Sequence, residues 1–170
     1  MADNKKLLCA MMDYESGCAE RIQHFIKVYE FAKLIGEMEG LNEDTRHILE
    51  TAAILHDIGI KPALLKYGSD AGNLQEQEGI LPASKLLTEL GYDMSVIERV
   101  TYLVGHHHTY TDVEGQDYQI LLEADFLVNL YENHCDEAAI KSAYEKIFRT
   151  ETGKRMCRVM FGMEEESFIN

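Results

Sequence analysis

His56 and Asp57 are the consecutive pair in this 170-residue chain whose types and position point most clearly to chemistry. They follow an apolar run, Ala52 to Leu55, and precede Gly59, so they end a helix that should be buried. A buried carboxylate without a partner costs several kcal/mol, so such a group is ion-paired, hydrogen-bonded or bound to a metal ion. One imidazole and one carboxylate suit iron, manganese or zinc, and a carboxylate can bridge two ions. The pair therefore predicts a metal centre at this helix end.

Other histidines and carboxylates that could complete such a site lie on both sides of this pair. His24 shares an apolar helical face with Val28 and Ile35, where the alternative to a ligand is a hydrogen-bonded core histidine. Asp125 lies in an apolar helical stretch, and aspartate is rarely buried there unless it is paired. For Asp125 the pattern favours a metal ligand over a buried salt bridge. Glu78, which lies between Asp57 and Asp125 in the sequence, is a further candidate.

Adjacent histidines at the end of another predicted helix add candidates. His107 continues the apolar stripe that ends at Val104, whereas His106 lies toward the side of Leu103. We expect one of the two to bind metal and the other to contact substrate. His108 begins the following loop, and we expect it to lie in solvent or beside a ligand.

Composition limits the class of protein. Sixteen basic and thirty acidic residues give a net charge of −14, which argues against extended binding of nucleic acid or anionic membranes. No apolar run reaches the roughly 18 residues of a membrane span, and the N-terminus lacks a signal-peptide pattern. The four cysteines are scattered without a C-x-x-C pair, which predicts free thiols in a reducing compartment. We therefore expect a cytoplasmic protein.

Apolar periodicity near 3.6 residues and a content of only two prolines predict an all-α fold. We predict a single domain over 1–170, with a core of about 16–135 and C-terminal helices in 136–170 packing on it. Helices are predicted over 4–13, Ser16 to Gly36 and Asn42 to His56. A further helix follows the segment 59–73 and ends at about Leu90. The next begins at Asp93 or Ser95 and runs to His106, and another spans 118–133. Segment 59–73 is predicted as a loop or short helix. Gly59 is placed to end a helix, and Pro82 predicts a kink or restart at Glu78.

The ordered histidines and acids on helical segments resemble the HD-domain metal-dependent phosphohydrolase superfamily. The central motif of that superfamily is matched by His56-Asp57-Ile58-Gly59, and its closing motif by Leu122-Glu123-Ala124-Asp125. The resemblance runs from about His24 to Asp125. It implies a compact multi-helix HD-domain bundle with the metal site between central helices. It also implies a first metal held by His24, His56, Asp57 and Asp125.

Superfamily members with two metals add a histidine on the following helix and one in a later His-rich turn. Glu78 falls at the first position, where many relatives have histidine, and His106 falls at the second. Ile60 stands where a lysine often follows the central motif, and Lys61 comes one residue later. The predicted ligands are His24, His56, Asp57, Glu78, His106, His107 and Asp125. They would hold one or two divalent transition-metal ions (Fe, Mn, Zn, Ni or Co, with Mg less suited).

The resemblance implies a metal-dependent phosphohydrolase that cleaves a small phosphate ester or nucleotide with metal-activated water. Asp57, His106 and His107 are the predicted catalytic residues, and Lys61 and Lys66 are candidate substrate contacts. Two divalent ions with three carboxylates would leave a net positive site, which suits a phosphate. The expected partner is a small anionic phosphorylated substrate. We expect no extended binding of nucleic acid and no membrane binding, and a homodimer is compatible with the sequence. A di-iron oxygenase of the same fold and a metal-stabilised regulatory module are the alternatives.

Overall fold

A computed structural model describes residues 3–163. Within this range the chain forms helices joined by turns and contains no strand, which confirms the predicted all-α class. The helices are α1 Asn4–Tyr14, α2 Ala19–Met38, α3 Glu43–Leu55, α4 Ile60–Tyr67, α5 Gly72–Glu89, α6 Met94–Val104, α7 Gln116–Glu132, α8 Glu137–Lys146 and α9 Glu151–Phe161. Among these described helices, none has both the length and the apolar character that crossing a membrane requires.

The core forms where α2, α3 and α7 pack on one another. Helix α7 buries residues on all sides, among them Ile120, Leu121, Leu127 and Val128, as expected of a helix at the centre of a bundle. Helices α5 and α6 pair with each other, α6 packs on α3, and α4 packs on α5. The carboxyl-terminal end of α3 therefore lies between α2, α7 and the turn after α6.

The C-terminal part of the chain adds two helices to this core. Helix α9 packs against α7 and α2, and α8 packs against α9. The end of the predicted C-terminal segment, 164–170, lies outside the described residues. All four cysteines, Cys9, Cys18, Cys135 and Cys157, are free.

Helix starts follow the sequence signals only in part. The Asn42 side chain accepts a hydrogen bond from the Thr45 backbone N–H at 2.9 Å, which confirms it as the N-cap of α3. The expected cap at Ser16 is wrong, because α2 begins after Cys18, which makes no side-chain cap bond. Asp93 occupies the N-cap position of α6, one of the two predicted starts.

The restart predicted at Glu78 is wrong, because α5 continues through Pro82. A continuous buried stripe, Gln75, Gly79, Ala83 and Leu87, runs across the proline and packs on neighbouring helices. That packing offsets the single backbone hydrogen bond that proline removes.

Gly59 does not end α3, contrary to its predicted role. Its φ of −74° is one that any residue adopts, and it stands immediately before α4. Its small size is nevertheless required, because a Cβ at this position would lie 2.1 Å from the Gln75 carbonyl oxygen. The glycine therefore allows α4 to start in close contact with α5.

Candidate metal centre

Four helices and one turn bring the candidate side chains together. His24 projects from the middle of α2 and Asp125 from the middle of α7. His56 and Asp57 follow the last residue of α3. His107 and His108 lie in the turn after α6, with Gln75 of α5 beside them.

The first group consists of His24, His56, Asp57 and Asp125. The Nε2 atoms of His24 and His56 are 3.2 Å apart, and Asp125 Oδ1 lies 3.2 Å from the first and 3.4 Å from the second. Asp57 Oδ2 lies 3.4 Å from each of the same two nitrogens. His56 is fully buried, and His24 and Asp125 are less than a tenth exposed. Two imidazoles and two carboxylates thus converge on one small volume between the central helices.

Hydrogen bonds at the far edge of each ring set which nitrogen faces the centre. His24 Nδ1 lies 2.7 Å from Glu132 Oε2, and His56 Nδ1 lies 2.8 Å from the Ala53 carbonyl oxygen. Both partners are acceptors, so each Nδ1 carries the hydrogen, and in the neutral ring the lone pair is on Nε2. Two such lone pairs at 3.2 Å cannot hydrogen-bond to each other. A cation between them satisfies both nitrogens, and metal-binding histidines are oriented in this way.

Asp57 faces a second group through its other oxygen. Its Oδ1 lies 3.4 Å from His107 Nε2. His107 is buried, its Nδ1 bonds the Val104 carbonyl oxygen at 2.8 Å, and its Nε2 has no hydrogen-bond partner within the described residues. Asp57, His107 and His108 each bring one ligand atom within 4.8 Å of the others. Asp57 therefore belongs to both groups.

Both site carboxyls are held in the ionised form. Burial raises the pKa of Asp57, but the electrostatic influence of the neighbouring His56 and His107 rings outweighs it and holds the pKa well below its usual range. Burial likewise raises the pKa of Asp125, and the influence of the adjacent His24 and His56 rings more than reverses that effect. Ionised carboxylates beside imidazole lone pairs form a donor set that suits a divalent transition metal.

The structure does not bring Glu78 and His106 into either group, which corrects their prediction as ligands. Glu78 Oε1 accepts hydrogen bonds from Lys66 Nζ at 2.8 Å and Tyr67 OH at 2.9 Å. Glu78 lies off the buried stripe of α5, and Gln75 is the residue of that helix that reaches the site. His106 bonds the Tyr102 carbonyl oxygen through Nδ1 and stacks on the Tyr102 ring, while the turn directs His107 inward.

The predicted substrate lysines are also engaged elsewhere. Lys61 Nζ donates to the Tyr14 carbonyl oxygen at 2.7 Å and lies over the Tyr14 ring. Lys66 pairs with Glu78, which leaves both amino groups outside the residues that line the site cavity.

A cavity of about 400 Å³ opens onto the first group. It is lined by Cys18, Glu20, Arg21, His24, Asp57, Ile60, Leu64, Asp70, Gln75, His108, Asp125, Asn129, Glu132 and Asn133. Histidines aside, Arg21 is the one basic side chain among these described lining residues. Its Nε donates to Glu15 Oε2 at 2.6 Å, and Glu15 is only 1% exposed.

The sequence interpretation missed Arg21 and Gln75. Arg21 precedes His24 by three residues, a spacing that puts both on one face of a helix, so a signal for it was present. For Gln75 no signal was present, because its role depends on how α5 is rotated against the turn after α6.

Comparisons with known proteins agree with this arrangement. The family model for the HD domain matches residues 21–149, which is most of the chain. The chain is also similar to a crystal structure described as a predicted HD superfamily hydrolase from an uncultured Thermotogales bacterium, with 26% identity and a TM-score of 0.67. That match covers 93% of this chain and 84% of the other. No curated protein matches significantly. The chain therefore belongs to the HD domain family of metal-dependent phosphohydrolases.

Proposed function

We propose that this protein hydrolyses a small phosphate ester with the help of divalent transition-metal ions. The observation that carries the proposal is the convergence of His24, His56, Asp57 and Asp125 at a cavity with one arginine. The donor set favours a transition metal such as iron, manganese or zinc over magnesium, because two imidazoles contribute. When bound, the ion would lower the pKa of a water molecule and polarise a phosphoryl oxygen.

The protein's own contribution is to hold these side chains rigidly. Glu132 orients the His24 ring through Nδ1, and the Ala53 carbonyl does the same for His56. Asn129 Nδ2 donates to Asp125 Oδ1 at 2.8 Å, which fixes that carboxylate against α7. A site that is preorganised in this way loses little free energy in ordering its groups during reaction.

Arg21 is the group that we propose binds the substrate phosphate, in place of Lys61 and Lys66. Its Nε is occupied by Glu15, and its guanidinium belongs to the lining of the same cavity as His24. Guanidinium groups bind phosphate oxygens with a fixed fork of donors. In a protein with a net charge of −14, one such cation near the metal ions localises attraction for an anion at the reaction site.

The cavity also bears on the leaving group. Its volume suits a small metabolite, and carboxylates and amides line it together with two aliphatic side chains, Ile60 and Leu64. No phenylalanine, tyrosine or tryptophan ring that could stack on a nucleobase is among the described lining residues. These features favour a phosphate ester with a hydroxyl-rich leaving group.

The test is release of inorganic phosphate from a panel of phosphate esters by protein loaded with Mn²⁺ or Fe²⁺. We expect turnover of at least one sugar or polyol phosphate. Asp57→Asn should abolish it, whereas the matched control Asp44→Asn, at an exposed position of α3, should retain it. Oxygen consumption is followed in parallel. Oxygen uptake without phosphate release from any ester would refute the proposal and favour the di-iron oxygenase.

A further inference from the structure

We propose that Glu15, in the turn after α1, is a positioning residue that holds Arg21 where it can bind the phosphate of the substrate. The inference rests on the proposed function, because it concerns the side chain that binds the phosphate there. It adds a carboxylate outside the cavity lining as the group that fixes the direction of the guanidinium.

The ion pair between Glu15 and Arg21 is buried on the side of the carboxylate. Arg21 Nε donates to Glu15 Oε2 at 2.6 Å, and the Glu15 side chain is only 1% exposed. The other oxygen, Oε1, is buried and has no hydrogen-bond partner within the described residues. Arg21 is therefore the group that balances this carboxylate, and moving the guanidinium away would leave a buried charge unpaired.

The bond to Glu15 leaves the far end of the guanidinium available to another anion. It uses Nε, and within the part of the chain that the structure describes neither Nη1 nor Nη2 of Arg21 forms a hydrogen bond. Arg21 lines the same cavity as His24 and Asp57. The two terminal nitrogens of a guanidinium present a fixed pair of donors that phosphate oxygens accept.

The acids around the cavity explain why Arg21 needs this restraint. Those that line the cavity with it are Glu20, Asp57, Asp70, Asp125 and Glu132. Burial lowers the pKa of Arg21, but the hydrogen bond to Glu15 and the charges of Glu15 and Asp57 together outweigh it. The charge of Asp57 therefore already reaches the guanidinium. If Arg21 were released from Glu15, it would pair with an acid of the cavity, and its donors would no longer be free for a phosphate.

Glu15 can act in this way because the end of α1 is itself fixed. The hydroxyl of Tyr14 donates to the Ile58 carbonyl oxygen at 3.2 Å, and the Tyr14 carbonyl oxygen accepts from Lys61 Nζ at 2.7 Å. The Cys18 backbone N–H donates to the Glu15 carbonyl oxygen at 2.9 Å, which closes the turn into α2. The carboxylate is thus held relative to the segment after α3 and to the start of α2.

The experiment measures the binding of inorganic phosphate to the Mn²⁺-loaded full chain by isothermal titration calorimetry. We expect Arg21→Ala and Glu15→Ala each to weaken phosphate binding by roughly 10–100-fold, the loss that corresponds to one hydrogen bond to a charged group. In the Arg21→Ala background, Glu15→Ala should change the affinity by less than about 2-fold, because the two residues act together. The number of Mn²⁺ ions per chain should remain that of the wild type in every variant.

The sign of the change separates positioning from a general effect of charge. Removing a carboxylate from an acidic protein should by itself strengthen the binding of an anion. The matched control Glu30→Ala removes an exposed carboxylate of α2 outside the cavity lining, and its phosphate binding should be unchanged or slightly tighter. Glu15→Gln keeps the size of the side chain and removes its charge. It should still weaken phosphate binding, and it carries the test if circular dichroism shows that Glu15→Ala is unfolded.

Phosphate binding that is unchanged or tighter in the folded Glu15 variants, together with a loss in Arg21→Ala, would overturn the inference and leave the proposed function standing. An equal loss from Glu15→Ala with and without Arg21 would also overturn it, because the carboxylate would then act on the fold and not through the guanidinium. If Arg21→Ala binds phosphate as tightly as the wild type, the proposed role of Arg21 fails and the inference fails with it.

Discussion

Glu123 offers a test of how helix α7, which carries Asp125, is tied to the C-terminal helices. Its carboxylate is fully buried and accepts hydrogen bonds from the backbone N–H groups of Arg149 and Thr150, at 2.7 and 2.9 Å. Gln119 Nε2 donates to the same oxygen at 2.8 Å, and the Thr150 hydroxyl donates to the other. Glu123 lies two residues before Asp125 in the sequence. Truncation by Glu123→Ala would therefore leave four hydrogen-bond donors without their acceptor next to the candidate metal centre.

The size of the effect follows from the two backbone donors. A hydrogen bond to a charged group contributes about 1.5–3 kcal/mol, and the part-buried N–H groups of Arg149 and Thr150 would lose their acceptor together. We expect Glu123→Ala to lower the free energy of unfolding by about 3–5 kcal/mol. Glu123→Gln should cost about 1 kcal/mol, since its amide oxygen keeps the three N–H donors and its NH₂ can donate to the Thr150 hydroxyl.

The assay is equilibrium urea unfolding followed by circular dichroism, with the metal content held constant. Glu145→Ala, at an exposed position of α8, is the matched control and should change stability by less than about 0.5 kcal/mol. A loss below about 1 kcal/mol for Glu123→Ala, or equal losses for the alanine and glutamine variants, would refute the hydrogen-bonding account.

Three other predictions concern the site and its supports. Gly59→Ala should destabilise the fold by about 1–3 kcal/mol, because its Cβ would collide with the Gln75 carbonyl; unchanged urea unfolding would contradict this. Glu132→Gln leaves an amide beside His24 Nδ1 and should weaken the first metal affinity by roughly 10–100-fold in a chelator competition, with Glu137→Gln on α8 as the control. Metal removal by a chelator should lower the midpoint of thermal unfolding, because a ligand that binds only the folded state stabilises that state. Calorimetry would measure the midpoint, and an identical value with and without the chelator would count against a resident ion.

Residue type and helical register were enough to locate much of the site. His24 and Asp125 are polar residues inside apolar helical stretches, and the structure places both in the first group with His56 and Asp57. Such residues stand out because burying them is costly, so their position within a helix already indicates what they face. The all-α class was predictable for a similar reason, since apolar periodicity depends on local sequence alone.

The errors fall where the outcome depends on how elements pack. Glu78 was expected at the site because it falls where many relatives have histidine, but the packing of α5 turned Gln75 inward instead. His106 and His107 differ by one position, and the geometry of the turn after α6 decided between them. Lys61 donates a hydrogen bond to the Tyr14 carbonyl oxygen of α1, and no local sequence pattern encodes a contact between residues 47 positions apart.

By itself, the sequence determined the helical class, the order of the candidate ligands along the chain and the negative net charge of the protein. These follow from periodicity, residue type and charge, which are properties of short segments. The tertiary structure alone decided that Asp57 faces two groups, that Gln75 orients His108 and that Arg21 is the cation at the cavity. Each of these depends on distances between residues far apart in the chain, and only the packing of helices against one another sets those distances.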